Sequence, residues 1–288
     1  MSPVTSADGT TIAFERTGQG PAIILVDGAL CSRAGGPMRG LAALLSPHFT
    51  VYAYDRRGRN ESGDTKPYAV EREVEDIAAL LAEAGGSACV YGISSGAALA
   101  LEAASTLGAK VRKLAMYEAP YNSDAAVRQR ARDYTDNLTE ALAAGRRGDA
   151  VELFMTLVGT PADQVAGMRQ SPFWPALEAV APTLAYDNAI LGDGAVPLAT
   201  AASVAAPALV MNGGASSAFM HDTAEALAKV MPNATHRILA GQRHDVASDV
   251  LAPVLVDFFR AGDEANDGQR HQVGAHDPGW RLSGPGRG

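Results

Sequence analysis

The sequence predicts an α/β fold, a mostly parallel central sheet with helices on both faces and an inserted helical cap. Three observations carry this. Short apolar runs alternate with helix-period segments over the first 120 residues. The alternation returns after about residue 200. The stretch between them has helical periodicity and no strand signal. With 288 residues, 47% hydrophobic and 19% charged, the chain can bury a large core.

The elements read in order as follows. Thr11 to Arg16 alternates like a half-exposed strand, and Ala22 to Val26 is unbroken apolar, as a strand buried on both faces would be. Phe49 to Tyr54 is a third strand. Val70, Val74, Ile77 and Leu81 make the stripe of an amphipathic helix, which Gly85-Gly86 ends. Ser87 to Tyr91 is another buried strand, followed by an Ala-rich helix from Ser95 to Leu107 and a strand from Val111 to Tyr117. Strand–helix alternation of this kind requires parallel pairing with crossover helices. Ala208 to Met211 and His236 to Leu239 are the late strands. Ala224, Leu227 and Val230 mark one late helix. Val250, Leu251, Val254, Leu255 and Phe258 mark the last, in which Pro253 is expected within the first turn. The expected core is therefore 1–120 with 201–262. The cap is 121–200, with helices at Ala125 to Ala144 and Asp149 to Val158. The Gly-, Asp- and Gln-rich segment 263–288 is expected to be a disordered tail.

A net charge of −8 argues against nucleic acid or an anionic membrane as partner, because both call for a basic face. Cys31 and Cys89 are too few and too far apart for a disulfide framework. Met1 to Gly9 lacks the regions of a signal peptide, and no apolar run approaches the roughly 18–20 residues of a membrane span. A cytoplasmic protein is expected, as monomer or homodimer. Gly18-x-Gly20 lacks the third glycine and the helix of a dinucleotide site, so no organic cofactor is implied, and no metal either.

Gly92-Ile93-Ser94-Ser95-Gly96 fits a nucleophile elbow, in which a serine stands on a sharp strand-to-helix turn and bulky residues two positions away would clash. The pattern alone is weak; its place between a buried strand and an Ala-rich helix makes it specific. A serine hydroxyl needs a base. Of six histidines, His244 is the candidate, in the loop Gly241-Gln242-Arg243-His244-Asp245 beyond a strand's C-terminal end, the edge where α/β sheets hold their sites.

With these pieces in hand, the chain resembles the α/β-hydrolase family over about residues 8 to 260. The resemblance rests on Leu25-Val26-Asp27-Gly28, Tyr54-Asp55-Arg56-Arg57-Gly58-Arg59-Asn60-Glu61-Ser62-Gly63, the elbow, and Gly241-x-x-His244-Asp245, in that order. It implies the α/β-hydrolase fold, Ser94 as nucleophile, His244 as base, and the Ala29 and Ser95 N–H groups as oxyanion donors.

Three departures from the family pattern bear on function. Ser216 stands in the loop where the family carries its acid. Haloalkane dehalogenases move that acid to the end of the preceding strand, which here ends in Glu118, so Glu118 is the expected acid, with Asp222 as the fallback. Asp245 adjoins His244 but should point elsewhere. Asp27 replaces a common histidine and is expected to pair with an arginine of Arg56-Arg57, or else to join the chemistry. Ile93 is expected to make one wall of the site apolar. Asp55, Arg56, Arg57 and Arg59 read as a loop-locking ion-pair cluster, and Cys31 as a small buried filler. Leu30, Trp174 and Phe219, with Phe154, Met155, Phe173 and Met220 nearby, are candidates for an apolar lining that suits a small apolar substrate. The expected activity is hydrolysis of an ester, lactone or thioester through an acyl-enzyme. Two alternatives stay open: lyase, cyclase, acyl-transfer or C–C bond chemistry at the same site, and a non-catalytic ligand-binding role. Alkyl-halide hydrolysis is disfavoured, since those enzymes carry Asp where Ser94 stands.

Overall fold

Unbroken apolar runs need cover on both faces, and in the computed structural model, which describes residues 2–261, they find it at the centre of one sheet. The strands are β1 (Ser2–Thr5), β2 (Thr11–Thr17), β3 (Ala22–Val26), β4 (Thr50–Tyr54), β5 (Ala88–Ile93), β6 (Val111–Tyr117), β7 (Ala208–Gly213) and β8 (Ala234–Leu239). Their order across the sheet is β1-β2-β4-β3-β5-β6-β7-β8. The first two pair antiparallel at one edge; β4 to β8 run parallel. All six residues of β5 are buried. β8 is the far edge, and it exposes His236 and Arg237, charged or polar side chains of the kind that discourage edge-to-edge pairing.

Side-chain alternation divides the core between two faces. On one face Ile24, Val26, Val90, Leu114 and Met116 pack against α2 (Val70–Glu83) and α3 (Ser95–Leu107). On the other, Ile23, Leu25, Tyr91 and Tyr117 pack against α1 (Met38–Leu45) and α11, the last helix (Ser248–Arg260). Between β6 and β7 the chain forms only helices: α4 (Ala125–Ala143), α5 (Arg147–Leu157), α6 (Ala162–Arg169), α7 (Trp174–Val180), α8 (Leu184–Leu191) and α9 (Leu198–Ser203), apart from a short 3-10 turn. This insert has a core of its own, in which Tyr134, Leu138, Val151, Trp174 and Leu184 surround Leu30 of the sheet domain. A further helix, α10 (Ala218–Val230), follows β7.

Two details differ from expectation. The expected elements lack β1, which is only four residues long, and α1, although its buried Met38, Leu41, Ala42 and Leu45 recur at helical spacing. Pro253 lies inside α11, beyond its first turn. A proline there is expected to disfavour the helix by about 3 kcal/mol, yet buried Leu251, Val254, Leu255 and Phe259 hold the helix on the sheet. The segment 263–288, expected to be disordered, lies outside the described residues.

Candidate active site

Ser94 sits where β5 turns into α3, at φ 57° and ψ −131°, a region that a side chain enters only under constraint. Two glycines impose it. A Cβ on Gly92 would lie 2.3 Å from the Gly96 carbonyl oxygen, and one on Gly96 would lie 2.3 Å from the Val26 carbonyl oxygen. The helix therefore presses against β3 and β5, and Ser94 is lifted out of the strand. Its N–H donates to the Tyr117 carbonyl at 2.9 Å, which fixes the turn beside the end of β6.

The next residue along β6 is Glu118, also in the left-handed region, at φ 48°. Its Oε1 accepts the Gly213 N–H at 2.8 Å, and its Oε2 lies 2.8 Å from Nδ1 of His244. Glu118 is buried and His244 half-exposed. Burial alone would push the Glu118 carboxyl up. His244, the Ser216 hydroxyl and the Gly213 N–H override it and hold the carboxyl below the ordinary glutamate value. The structure thus brings Ser94, Glu118 and His244 to one edge of the sheet. Asp222 is exposed on α10 and Asp245 is exposed in its loop, and neither bonds His244.

Across from Ser94 is the turn 27–31. Gly28 packs on it so closely that a Cβ there would lie 3.1 Å from the Ser94 Cβ. No hydrogen bond within the described residues occupies the Ala29 N–H. The Ser95 N–H opens α3, where the first N–H groups have no partner inside the helix. Leu30 is held at φ 58° and packs into the insert's core.

The expected pairing of Asp27 with Arg56 or Arg57 does not occur. Arg56 is turned to Glu73 and Asp187, and Arg57 to Asp76 and Asp8. Asp27 is 3% exposed, its Oδ1 accepts the Gly28 N–H at 2.9 Å, and its Oδ2 has no hydrogen-bond partner. Burial pushes its carboxyl up to about 6, against the pull of the Gly28 N–H, Arg59, the Cys31 thiol and Arg56. A carboxyl raised in the folded state is harmless below its ordinary value of 3.8 and weakens the fold as pH rises through about 6. The penalty is about 3 kcal/mol, at 1.36 kcal/mol per pH unit. Asp27→Asn should therefore raise the melting temperature at pH 8 and give no gain near pH 4. Thermal melts at both values check this; an equal shift at both would reject the buried charge as cause.

The ion-pair cluster is larger than the loop that suggested it. Asp187 of α8 accepts from Arg56 Nη1 at 2.7 Å, from Arg59 Nη2 at 2.9 and 3.0 Å, and from the Ser95 hydroxyl at 2.7 Å. Arg59 also donates to Thr183 and to the carbonyls of Gly28 and Cys31. Sequence reasoning missed Asp187 and Thr183. The only available signal was three arginines within four residues, which demand more carboxylates than their own loop holds. Two expected lining residues are elsewhere. Ile93 shares the face of Tyr91 and is buried in the core beside α1 and α11. Trp174 is 3% exposed inside the insert, with its N–H on Glu178. Phe219 is half-buried at the start of α10. Cys31 is half-buried, and neither cysteine forms a disulfide.

Among the described residues no group of three or more His, Cys, Asp or Glu side chains could hold a metal ion. No described helix is long and apolar enough to cross a membrane. The sequence pattern of the alpha/beta hydrolase family matches residues 28–254. The chain is similar to an alpha/beta hydrolase from Sphaerobacter thermophilus DSM 20745, with 53% identity and a TM-score of 0.81 over 90% of this chain and 100% of that one. A hydrolase from Pseudomonas aeruginosa PA01 shares the fold at 19% identity and a TM-score of 0.66, over 95% of this chain and 98% of that one. The enol-lactonase from Burkholderia xenovorans LB400 does so at 21% identity and a TM-score of 0.59, over 94% and 98%.

Proposed function

The chain belongs to the alpha/beta hydrolase family, and from that premise we propose that it is a serine hydrolase cleaving a small apolar ester, lactone or thioester through an acyl-enzyme. One observation carries this reading: a buried carboxylate grips Nδ1 of His244 at 2.8 Å, at the sheet edge that presents Ser94. A glutamate held ionised there keeps the His244 proton on Nδ1 and leaves Nε2 as acceptor for the Ser94 hydroxyl proton. Ser94 Oγ attacks the carbonyl carbon, and the Ala29 and Ser95 N–H groups take the oxyanion. His244 then protonates the leaving group, and water, deprotonated by His244, clears the acyl group. The insert serves as cap, with Leu30 packed into its core as an apolar contact. Asp27 favours a second reading. A buried carboxyl with a raised pKa beside the oxyanion turn suits a site that moves a proton in C–C bond chemistry.

A fluorophosphonate probe tests the proposal. The folded protein should take one label, on Ser94, and should hydrolyse a panel of p-nitrophenyl esters and lactones. Absence of label on Ser94 would reject the serine mechanism. Label without hydrolysis of any panel member would move the assignment to the second reading.

A further inference from the structure

We infer that Asp187, carried by the helical insert, sets the oxyanion site, one carboxylate positioning both N–H donors through Ser95 on one side and Arg59 on the other. The inference rests on the hydrolase reading above and gives the insert a part in charge stabilisation as well as in enclosing substrate.

The two arms are both direct. On the first, Asp187 Oδ1 accepts the Ser95 hydroxyl at 2.7 Å, so the residue whose N–H is one donor is tethered by its own side chain. On the second, both Asp187 oxygens hold Arg59 Nη2, and Arg59 Nη1 donates to the carbonyls of Gly28 and Cys31. The Gly28 carbonyl and the Ala29 N–H belong to one planar peptide unit and point opposite ways. Holding the carbonyl on a guanidinium therefore aims the Ala29 N–H away from Arg59. It also polarises that peptide, which strengthens the N–H as a donor. Arg56 completes the frame, with Nη1 on Asp187 at 2.7 Å and on the Asp27 carbonyl at 3.4 Å, and its other nitrogens on Glu73.

The network is dry: Arg56, Arg59, Glu73, Asp187 and Ser95 are each under 5% exposed, so water does not compete for the bonds. Two guanidinium groups meet two carboxylates, and the set is electrically balanced. Burial alone would raise the Asp187 carboxyl, but Arg59 and Arg56 hold it below the ordinary aspartate value, ionised as the arrangement requires. A latch whose only task was to seat the insert would need none of the contacts to the backbone carbonyls of 27, 28 and 31. With those contacts present, displacement of α8 slackens both donors together.

The test is the rate of Ser94 labelling by a fluorophosphonate, split into its saturating rate and its half-saturating concentration, together with inhibition by an aryl trifluoromethyl ketone. Asp187→Asn should lower the saturating rate by about 10²-fold, the usual loss of one oxyanion donor. Its half-saturating concentration should stay within about threefold, and ketone affinity should fall in parallel with the rate. Ser95→Ala, which keeps the N–H and removes only the tether, should lose about tenfold in the same two quantities. Asp187→Glu should recover part of the loss. Unchanged labelling rate and ketone affinity in folded Asp187→Asn and Ser95→Ala, with only the melting temperature lowered, would overturn the inference and leave a structural latch. Should Asp187→Asn fail to fold, Ser95→Ala decides by the same readings. Absence of Ser94 labelling in the wild-type chain would reject the hydrolase reading itself, a result distinct from normal labelling that the variants leave unchanged.

Discussion

Glu118→Gln is expected to lower turnover by about 10³–10⁴-fold while the protein stays folded. The substitution is nearly isosteric. The amide oxygen can still accept the Gly213 N–H, which now reaches Oε1 at 2.8 Å. The amide nitrogen then faces Nδ1 of His244 where Oε2 now lies at 2.8 Å. An N–H facing Nδ1 forces the imidazole proton onto Nε2, the atom that accepts from Ser94 in the proposed mechanism. The histidine stays in place in the wrong tautomer, and no charge remains to offset its imidazolium. Steady-state hydrolysis of the ester found active in the panel measures the loss, and circular dichroism checks the fold. Wild-type turnover in Glu118→Gln would reject Glu118 as the acid. Asp222→Asn serves as the comparison and should be unaffected, since Asp222 is exposed on α10.

Why Glu118 was legible and Asp187 was not has a physical basis. A carboxylate ending the apolar run Leu114 to Tyr117 is locally anomalous, and the Ser at 216 left a vacancy for an acid. Both signals lie in the chain as written. The strands, the elbow and His244 were legible likewise, because periodicity and close-packed glycines are local properties. Asp187 is different. It lies 128 residues from Arg59, inside an apolar helical segment, and its importance exists only once α8 is laid across the elbow. The same holds for Asp27, whose expected partners Arg56 and Arg57 are engaged by Glu73 and Asp76 of α2, by Asp8 and by Asp187, from three other segments. Pairing by proximity in sequence failed because buried guanidinium groups take the carboxylates that the fold delivers. Trp174 failed for a related reason: an apolar residue in a small helical layer is needed for that layer's own core before it can line a pocket.

Gly96→Ala should remove both stability and activity, and its logic explains how the site is held. A Cβ at Gly96 would lie 2.3 Å from the Val26 carbonyl oxygen and 2.5 Å from that of Asp27. Both obstacles are backbone at the end of β3, so no side-chain rotation relieves them. The helix must back away from the sheet by about 1 Å, and overpacking of that kind destabilises by about 3 kcal/mol or somewhat more. For a chain of this size that lowers the melting temperature by about 6–12 °C. The displacement also moves Ser95 relative to Ala29, and a misplacement of about 1 Å costs about 10² in rate, so the folded fraction should label at Ser94 at least that much more slowly. Gly167→Ala provides the contrast. It lies exposed in α6 with no atom within 4 Å of the new Cβ. It should stabilise by about 0.5–1 kcal/mol, as replacing a helix-interior glycine does, with labelling unchanged. Equal melting temperatures for wild type and Gly96→Ala would show that the helix and β3 are not in the contact described. The strained Ser94 would then need another cause, because it is this contact that forces the serine out of the strand.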